Sequence, residues 1–255
     1  MSEDARRDAG TEDVSFGYKS VSAPEKRRLV SGQFDPIARR YDLADALLSF
    51  GLHFHWKRWG IDQLALKEGE RVLDVCGGTG DLAVLAAERV APQGQAFIYD
   101  FNRPMMNAGR AKVTRSRFAG SILFVEGDAE SLSFPDAVFD AVTVGFGIRN
   151  LVHLDQGLGE LHRVLKRGGR LMILEFSLPV HRWLRRLYDV YSFKVMPLAA
   201  GIICGTAGPF RYLAESIRVF DPPERVAERL KNAGFSDIRL QRLTDGIAVV
   251  YLARR

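Results

Sequence analysis

What constrains this chain most is a change of hydrophobic rhythm near residue 70. From there, short apolar runs alternate with stretches of helical periodicity: RVLDVC, DLAVLAAERV, AFIYDF, RPMMNAGRAKV, ILFVEG, DAVTVGF, LDQGLGELHRVL and RLMILEF, with KRGG read as a turn before the last run. Near-continuous apolar runs separated by amphipathic helices predict a parallel sheet covered on both faces. The ending differs. After a helix opened by Pro222 and Pro223 and stopped by Gly234, two runs, DIRLQRL and GIAVVYLAR, are parted only by Thr244 and Asp245 and so form a hairpin. A hairpin forces antiparallel pairing, so an α/β fold is expected, with a mostly parallel seven-stranded sheet that ends antiparallel.

The flanks divide the remainder. Residues 1–20 read as a flexible arm and 21–255 as one domain. Within it, 21–68 form a helical cover, with Phe34, Ile37, Tyr41, Leu47, Leu48, Leu52, Trp56, Trp59 and Leu64 recurring at helical spacing, and 178–218 form a helical lid. With 255 residues and 47% hydrophobic content, one substantial core is affordable. The two cysteines, Cys76 and Cys204, lie far apart and suggest reduced thiols rather than a disulfide framework. The charged first twenty residues lack the apolar core of a signal peptide. The most apolar stretch, VMPLAAGIICGTAGPF, is short and broken by proline and glycine, so no membrane span is expected.

The first strand runs into a glycine turn, VLDVCGGTGDLA. Gly78, Gly80 and Ala83 satisfy the loose dinucleotide fingerprint, and Asp100 lies twenty residues beyond Gly80, where a ribose-binding carboxylate would stand. That fits a nicotinamide-dependent oxidoreductase. Against it, Asp74 precedes the turn, where a carboxylate orients the loop or neutralises a cation but repels a pyrophosphate. Asp100 and Asp128 also have a plainer reading, as caps of the following helices.

The turn together with the terminal hairpin resembles the Rossmann-like class I methyltransferases that use S-adenosylmethionine. Several further motifs resemble one family among them, the UbiE/COQ5 C-methyltransferases of ubiquinone and menaquinone biosynthesis: YDLADALLSFGLHFHW with Tyr41, Asp42, Ser49, His53 and Trp56; GFGIRN; RVLKRGGRLMILEFS; YLAESIRVF; and LTDGI. The likeness runs from Phe16 to the C-terminus. It departs from the family's usual residues at Ala44-Asp45, usually Met-Asn, at Arg167, usually Pro, at Gly145, often Ser, and at Ser133 in Leu132-Ser133-Phe134, commonly Pro.

By that resemblance the cofactor is S-adenosylmethionine. Gly77, Gly78, Thr79 and Gly80 approach its methionine moiety with Asp74, Asp100 and Phe101 meet the ribose, Asp128 and Ala129 meet the adenine, and Tyr41 and Gly145 complete the set. No metal is implied. The substrate is a prenylated quinol, a demethylmenaquinol or a 2-polyprenyl-6-methoxy-1,4-benzoquinol. Arg149 is the first catalytic candidate, since a fixed guanidinium stabilises phenolate charge or holds a water but stays protonated. Asn150 orients the same water or the ring hydroxyl, and His53 is the nearby base candidate. The plainer readings pair Arg149 with a carboxylate, make Asn150 a helix cap, make His53 a buried packing histidine, and give Glu175 to Arg218 or a backbone amide. Alternatives to the whole assignment are a methyltransferase of another phenolic metabolite and a non-catalytic quinone-binding protein.

The formal charge is +5, with basic residues concentrated where they matter most in HRWLRRLYDVYSFKVMP. There Arg182, Arg185, Arg186 and Lys194 interleave with Trp183, Leu187, Tyr188, Tyr191, Phe193 and Met196, a pattern suited to transient contact with an anionic membrane surface or to a lid packed on the core. A cytoplasmic protein, peripheral at the inner membrane face, is therefore expected. A homodimer is compatible with the apolar 181–213 region. Nucleic acid is not an expected partner, because no basic stripe with stacking aromatics occurs.

Overall fold

The computed structural model describes residues 13–255. Seven strands build the main sheet: β3 (Arg71–Val75), β4 (Gln95–Asp100), β5 (Ile122–Glu126), β6 (Phe139–Gly145), β7 (Leu165–Phe176), β8 (Ser236–Leu243) and β9 (Ala248–Arg254). Their spatial order is β5-β4-β3-β6-β7-β9-β8. The first five are parallel, whereas β9 pairs antiparallel with both β7 and β8. The sheet therefore has the expected ending, while KRGG, expected as a turn, continues β7 from Leu165 with only Gly168 in the left-handed region.

Each face of the sheet carries its own apolar layer. On one side α6 (Leu154–Val164) and α10 (Pro223–Asn232) bury Leu158, Leu161, Val226 and Leu230 against Leu73, Phe139, Ile173 and Tyr251. On the other, α3 (Leu52–Gln63), α4 (Asp81–Val90) and α5 (Arg103–Arg115) bury Trp56, Ile61, Leu82, Ala86 and Met106 against Val72, Ile98, Met172 and Val250. The small side chains of α4 at Ala83, Ala86 and Ala87 let that helix lie close to the strands, with all three buried.

The cover is α1 (Ala23–Phe34), a 3-10 turn (Asp35–Arg40), α2 (Tyr41–Leu48) and α3, with Gly51 at φ +73 breaking the helical run before Leu52. Of the expected arm, residues 1–12 lie outside the described residues. Residues beyond them do not behave as an arm. Asp13–Phe16 (β1) and Lys19–Ser22 (β2) form an antiparallel hairpin, because Phe16 gains burial by stacking on Tyr212 at 4.3 Å between ring centres.

The lid is one helical run from Arg182 to Cys204, made of α7 (Arg182–Val190), a π turn (Tyr191–Val195) and α8 (Met196–Cys204), followed by α9 (Gly208–Val219). The run is 23 residues long and its most apolar 18-residue window has mean hydropathy 1.3, enough by length and composition to cross a membrane, which the sequence broken by Pro197 did not suggest. Pro197 lies inside this run, just after the π turn, where the shift in hydrogen-bond register accommodates a residue without an N–H. The run is nonetheless tied down. Met196 and Ala200 pack with Ile37, Ala44 and Phe210, and Arg218 of α9 binds Asp189 at 2.5 Å and Ser192 at 2.7 Å.

Candidate active site

The carboxyl ends of β3, β4 and β6, together with α1, α2 and α3, enclose a cavity of about 240 Å³. The carboxyl ends of parallel strands are where such sheets bind ligands. Gly77, Gly78 and Thr79 form one wall. A methyl at Gly77 would meet the Asp74 carbonyl oxygen at 2.9 Å and Ile98 at 3.0 Å, and Gly78 has φ +51, so this turn brings bare backbone to the cavity. Gly80 does not line the cavity. It stands before α4 at φ +85, pressed against Ile98, and its N–H donates to the Gly77 carbonyl at 2.8 Å, which closes the turn.

Two buried carboxyls brace that turn. Asp74 accepts from Thr143 Oγ1 at 2.8 Å and from the Ala83 N–H at 3.2 Å, and burial pushes its pKa up to about 7 against those two hydrogen bonds. Asp100 accepts from the N–H groups of Gly78 at 2.8 Å and Asn102 at 2.7 Å; burial outweighs these bonds and raises it to about 6. Asp100 is not a helix cap, since Asn102 caps α5 by accepting from the Met105 N–H at 2.9 Å. Asp128 caps no helix either: it accepts from the Glu130 N–H at 2.9 Å and pairs with Arg27 at 3.2 Å.

Tyr41, Phe101, Asp128, Ala129, Gly145 and Asn150 also line the cavity, as expected of a shared site. Asn150 accepts from the Tyr212 hydroxyl at 3.0 Å. It caps nothing, because α6 begins only at Leu154 with His153 before it. Arg149 and His53 are not brought to this wall. Arg149 lies buried behind it, bound to Glu175 Oε1 at 2.7 Å and to the Phe146 carbonyl at 2.5 Å, its guanidinium over the Phe176 ring. Glu175 thus serves Arg149, and not Arg218, and accepts from the Arg149 N–H as well at 3.2 Å. The carboxylate overcomes burial and keeps the Arg149 pKa above its ordinary value.

His53 belongs to a buried charge cluster that the sequence did not reveal. Lys57 Nζ lies 3.0 Å from Asp45 Oδ2, 2.8 Å from Asp81 Oδ2 and 3.0 Å from His53 Nδ1. Asp45, His53 and Asp81 bring ligand atoms within 4.8 Å of one another, but the Lys57 ammonium stands at hydrogen-bond distance from all three. Burial alone would discharge Lys57; Asp45 and Asp81 outweigh it and hold the pKa above the usual lysine value. Lys112 extends the cluster to Asp81, to Asp42 at 2.8 Å and to Thr79 of the glycine turn at 3.1 Å. These side chains come from α2, α3, α4 and α5, so no local spacing announces them. Half-buried Tyr41 adjoins the cluster, its pKa raised by desolvation and then by Asp45.

A second cavity of about 250 Å³ opens beneath the lid. Its walls are chiefly apolar, with Leu48, Leu52, Leu184, Leu187, Met196 and Phe210 among them. Phe146 of the first cavity stacks on Phe176 of the second at 4.1 Å, and Trp56 stands edge-on to both, so an aromatic group divides the two spaces.

The first cavity carries the carboxyls of Asp74, Asp81, Asp100, Asp128 and Glu130 against the cations of Arg27 and Lys57. That balance suits a cationic ligand and opposes a pyrophosphate. Backbone exposed at Gly77 and Gly78, with Asp100 one strand away, also fits a nucleoside bearing a short cationic chain. Solved structures with the same fold include a SAM-dependent methyltransferase, possible histamine N-methyltransferase, from Thermotoga maritima (TM-score 0.60, 18% identity, 88% of this chain and 98% of that one). A putative S-adenosyl-L-methionine-dependent methyltransferase from Methanococcus maripaludis is similar to the same degree (TM-score 0.61, 16% identity, 87% and 94%). At full length the chain is 42% identical to the ubiquinone/menaquinone biosynthesis C-methyltransferase UbiE of Pseudomonas putida strain GB-1 over 251 residues, 98% of each protein. It is 40% identical to the protein of the same name from Shewanella sp. strain ANA-3, over 94% of this chain and 96% of that one. The family model described as the ubiE/COQ5 methyltransferase family matches residues 20–255, and the chain belongs to that family of S-adenosylmethionine-dependent methyltransferases.

Proposed function

We propose that the chain methylates a ring carbon of a polyprenylated hydroquinone, the reaction class named for its relatives. What carries this reading is 42% identity to a C-methyltransferase of quinone biosynthesis across 98% of both chains. The apolar cavity beneath the lid, next to the cofactor cavity, supports it by offering room for a greasy ring and the start of its tail.

S-adenosylmethionine supplies an electrophilic sulfonium methyl. In our reading Gly77, Gly78 and Thr79 bear on its methionine end, where Asp74 and Asp81 favour positive charge. Asp100 and Phe101 take the ribose, Asp128 and Ala129 the adenine. The lone pairs that Asp100 does not spend on Gly78 and Asn102 accept the hydroxyls. Tyr41 and Gly145 stand at the reacting end, and Asn150, held by Tyr212, contacts the ring or its water. Arg149 acts as a positioning residue. Its clamp on the Phe146 carbonyl and Glu175 fixes the turn that carries Asn150 and steadies the aromatic divider. His53 also positions, through Asp45 and Lys57. A reduced ring is required because a hydroxyl donates electron density to the neighbouring carbon, which takes the methyl from the sulfonium sulfur, leaving a neutral thioether, and then loses its ring proton to water.

The outer lid suits a bilayer surface. Trp183, Leu187, Val190, Leu198 and Ile202 are all more than half exposed on the run that also carries Arg182, Arg185 and Arg186. We therefore propose that the protein, cytoplasmic in its resting location, touches an anionic membrane there to meet its substrate. Sedimentation with anionic vesicles at low salt tests the contact: no association rules it out, and a stable dimer burying the same face on sizing would replace it.

Methyl transfer from labelled S-adenosylmethionine to reduced demethylmenaquinol and to the reduced methoxy-benzoquinol, side by side with the oxidised quinones, tests the reaction. Transfer to either reduced ring is expected and none to the oxidised ones. Cofactor binding without transfer to either would move the assignment to another phenolic metabolite.

A further inference from the structure

FGYKSV and YLAESIRVF, from opposite ends of the chain, meet beside the cofactor cavity. Phe16 stacks on Tyr212 with the ring planes 17° from parallel, and both side chains are buried. One turn along α9, Glu215 accepts from the Tyr18 N–H at 3.4 Å, and Gly17, at φ +57, lies so close that a methyl there would clash with the Glu215 carboxylate. The hairpin docked in this way covers the ring of Tyr212, whose hydroxyl donates to Asn150 Oδ1 at 3.0 Å. The direction of that bond follows from charge. Burial pushes the Tyr212 pKa up to about 12 against the pull of Arg149, so the hydroxyl keeps its proton and needs an acceptor. Which end of an amide faces a partner is set by the bonds it makes, and Asn150 meets this donor with its oxygen. Its NH₂ group is thereby turned from Tyr212. No described residue bonds that group, yet it is not shut inside the protein: the buried side-chain polar atoms without a partner among the described residues are Ser49 Oγ, His53 Nε2 and Arg149 Nε. The open space that Asn150 adjoins is the cofactor cavity.

We infer that Tyr212 is a positioning residue, held in place by Phe16: it turns the Asn150 amide so that the cavity meets an N–H donor and not a carbonyl. The inference rests on the hydroquinone reading above. A donor there favours the ring hydroxyl in its ionised form, its proton passing to water, and that form raises electron density most at the carbon beside it; a carbonyl in the same place holds the proton on the oxygen. Without the Tyr212 hydroxyl, no described side chain tells the two ends of the amide apart, and part of the protein carries the unproductive orientation.

The test is a cycle of Tyr212→Phe and Asn150→Asp, assayed with saturating S-adenosylmethionine and a short-chain naphthohydroquinone. Tyr212→Phe deletes one oxygen and keeps the ring on Phe16; kcat should fall about tenfold, with the cofactor Kd and the acceptor KM changed by less than about threefold. Asn150→Asp lowers kcat too, by removing the donor, but a carboxylate has two like oxygens and no orientation to set. Adding Tyr212→Phe to Asn150→Asp should therefore cost no more than about twofold. A merely structural tyrosine would cost the same about tenfold in both backgrounds. That result, or a Tyr212→Phe kcat equal to wild type, overturns the inference while leaving the reaction standing. If Tyr212→Phe does not fold, Phe16→Ala loosens the ring from outside the site: a kcat about threefold lower in the wild-type background and unchanged in the Asn150→Asp background is expected, and equal losses in both overturn the inference. No turnover by wild type, with S-adenosylmethionine bound, overturns the reaction and the inference with it.

Discussion

The cofactor end and the lid end of this molecule are built by different means. At the cofactor end the chain's own path does the work: strand ends deliver Asp74 and Asp100, and a turn that Gly80 closes at φ +85 brings the backbone of Gly77 and Gly78 to the cavity. At the lid end nothing depends on a turn. Helices from residues 41–63 and 182–219 meet across more than a hundred residues, and side-chain size decides how much space remains between them. A backbone-built site holds a ligand shared by many relatives, while a packing-built site can change its occupant through a few side chains.

The largest expected effect sharpens this contrast at the seam between the two ends. Arg149 and Glu175 are about nine-tenths buried or more, and Glu175→Ala strands the guanidinium. Removing one partner of such a pair costs about 3–5 kcal/mol, to be read as a loss of melting temperature and denaturant midpoint. An unchanged midpoint would mean that the pair does not hold the wall in place.

Next comes Asp100→Ala, which removes the acceptor for Gly78 and Asn102 and, on the proposed reading, for the ligand's hydroxyls. Cofactor affinity should fall by about a hundredfold by calorimetry, with methyl acceptor binding little changed. Equal losses for both ligands would break the division into two ends.

A pH titration separates them further. Asp100 must be ionised to accept hydroxyl hydrogen bonds, so cofactor affinity should fall as pH drops through about 6. The stability effect has the opposite sign. A carboxyl whose pKa is raised on folding costs stability above its folded value, and the cost is relieved as pH falls from about 6 towards the unfolded value near 4. Asp100→Asn should flatten both dependences. The smallest expected change is that of Leu198→Asp and Ile202→Asp on the exposed lid: stability within about 0.5 kcal/mol, vesicle binding lost, turnover of a short-tailed substrate preserved and that of a long-tailed one reduced.

The same contrast governs what could be read from the chain. The sheet and its antiparallel ending were legible because short continuous apolar runs and 3.6-residue patterns are local, and the meeting of Asp74, Asp100 and Asp128 at one cavity was legible because each lies at or just beyond the carboxyl end of a parallel strand. The Lys57 cluster was not, for Asp45, Lys57, Asp81 and Lys112 stand on four different helices brought together only by packing. Arg149 and Glu175 lie between these cases. They follow or end adjacent parallel strands, β6 and β7, so their meeting follows from strand order once that order is known. Phe16 shows the reverse: its stacking on Tyr212 turns a segment of polar, arm-like composition into a docked hairpin.

The most direct measurement is the position of the new methyl group. S-adenosylmethionine labelled with ¹³C in its methyl, incubated with the protein and a reduced prenylated quinol, should yield a product whose label is bound to a ring carbon by NMR. Label bound to oxygen, as an aryl methyl ether, would contradict C-methylation even if transfer were efficient.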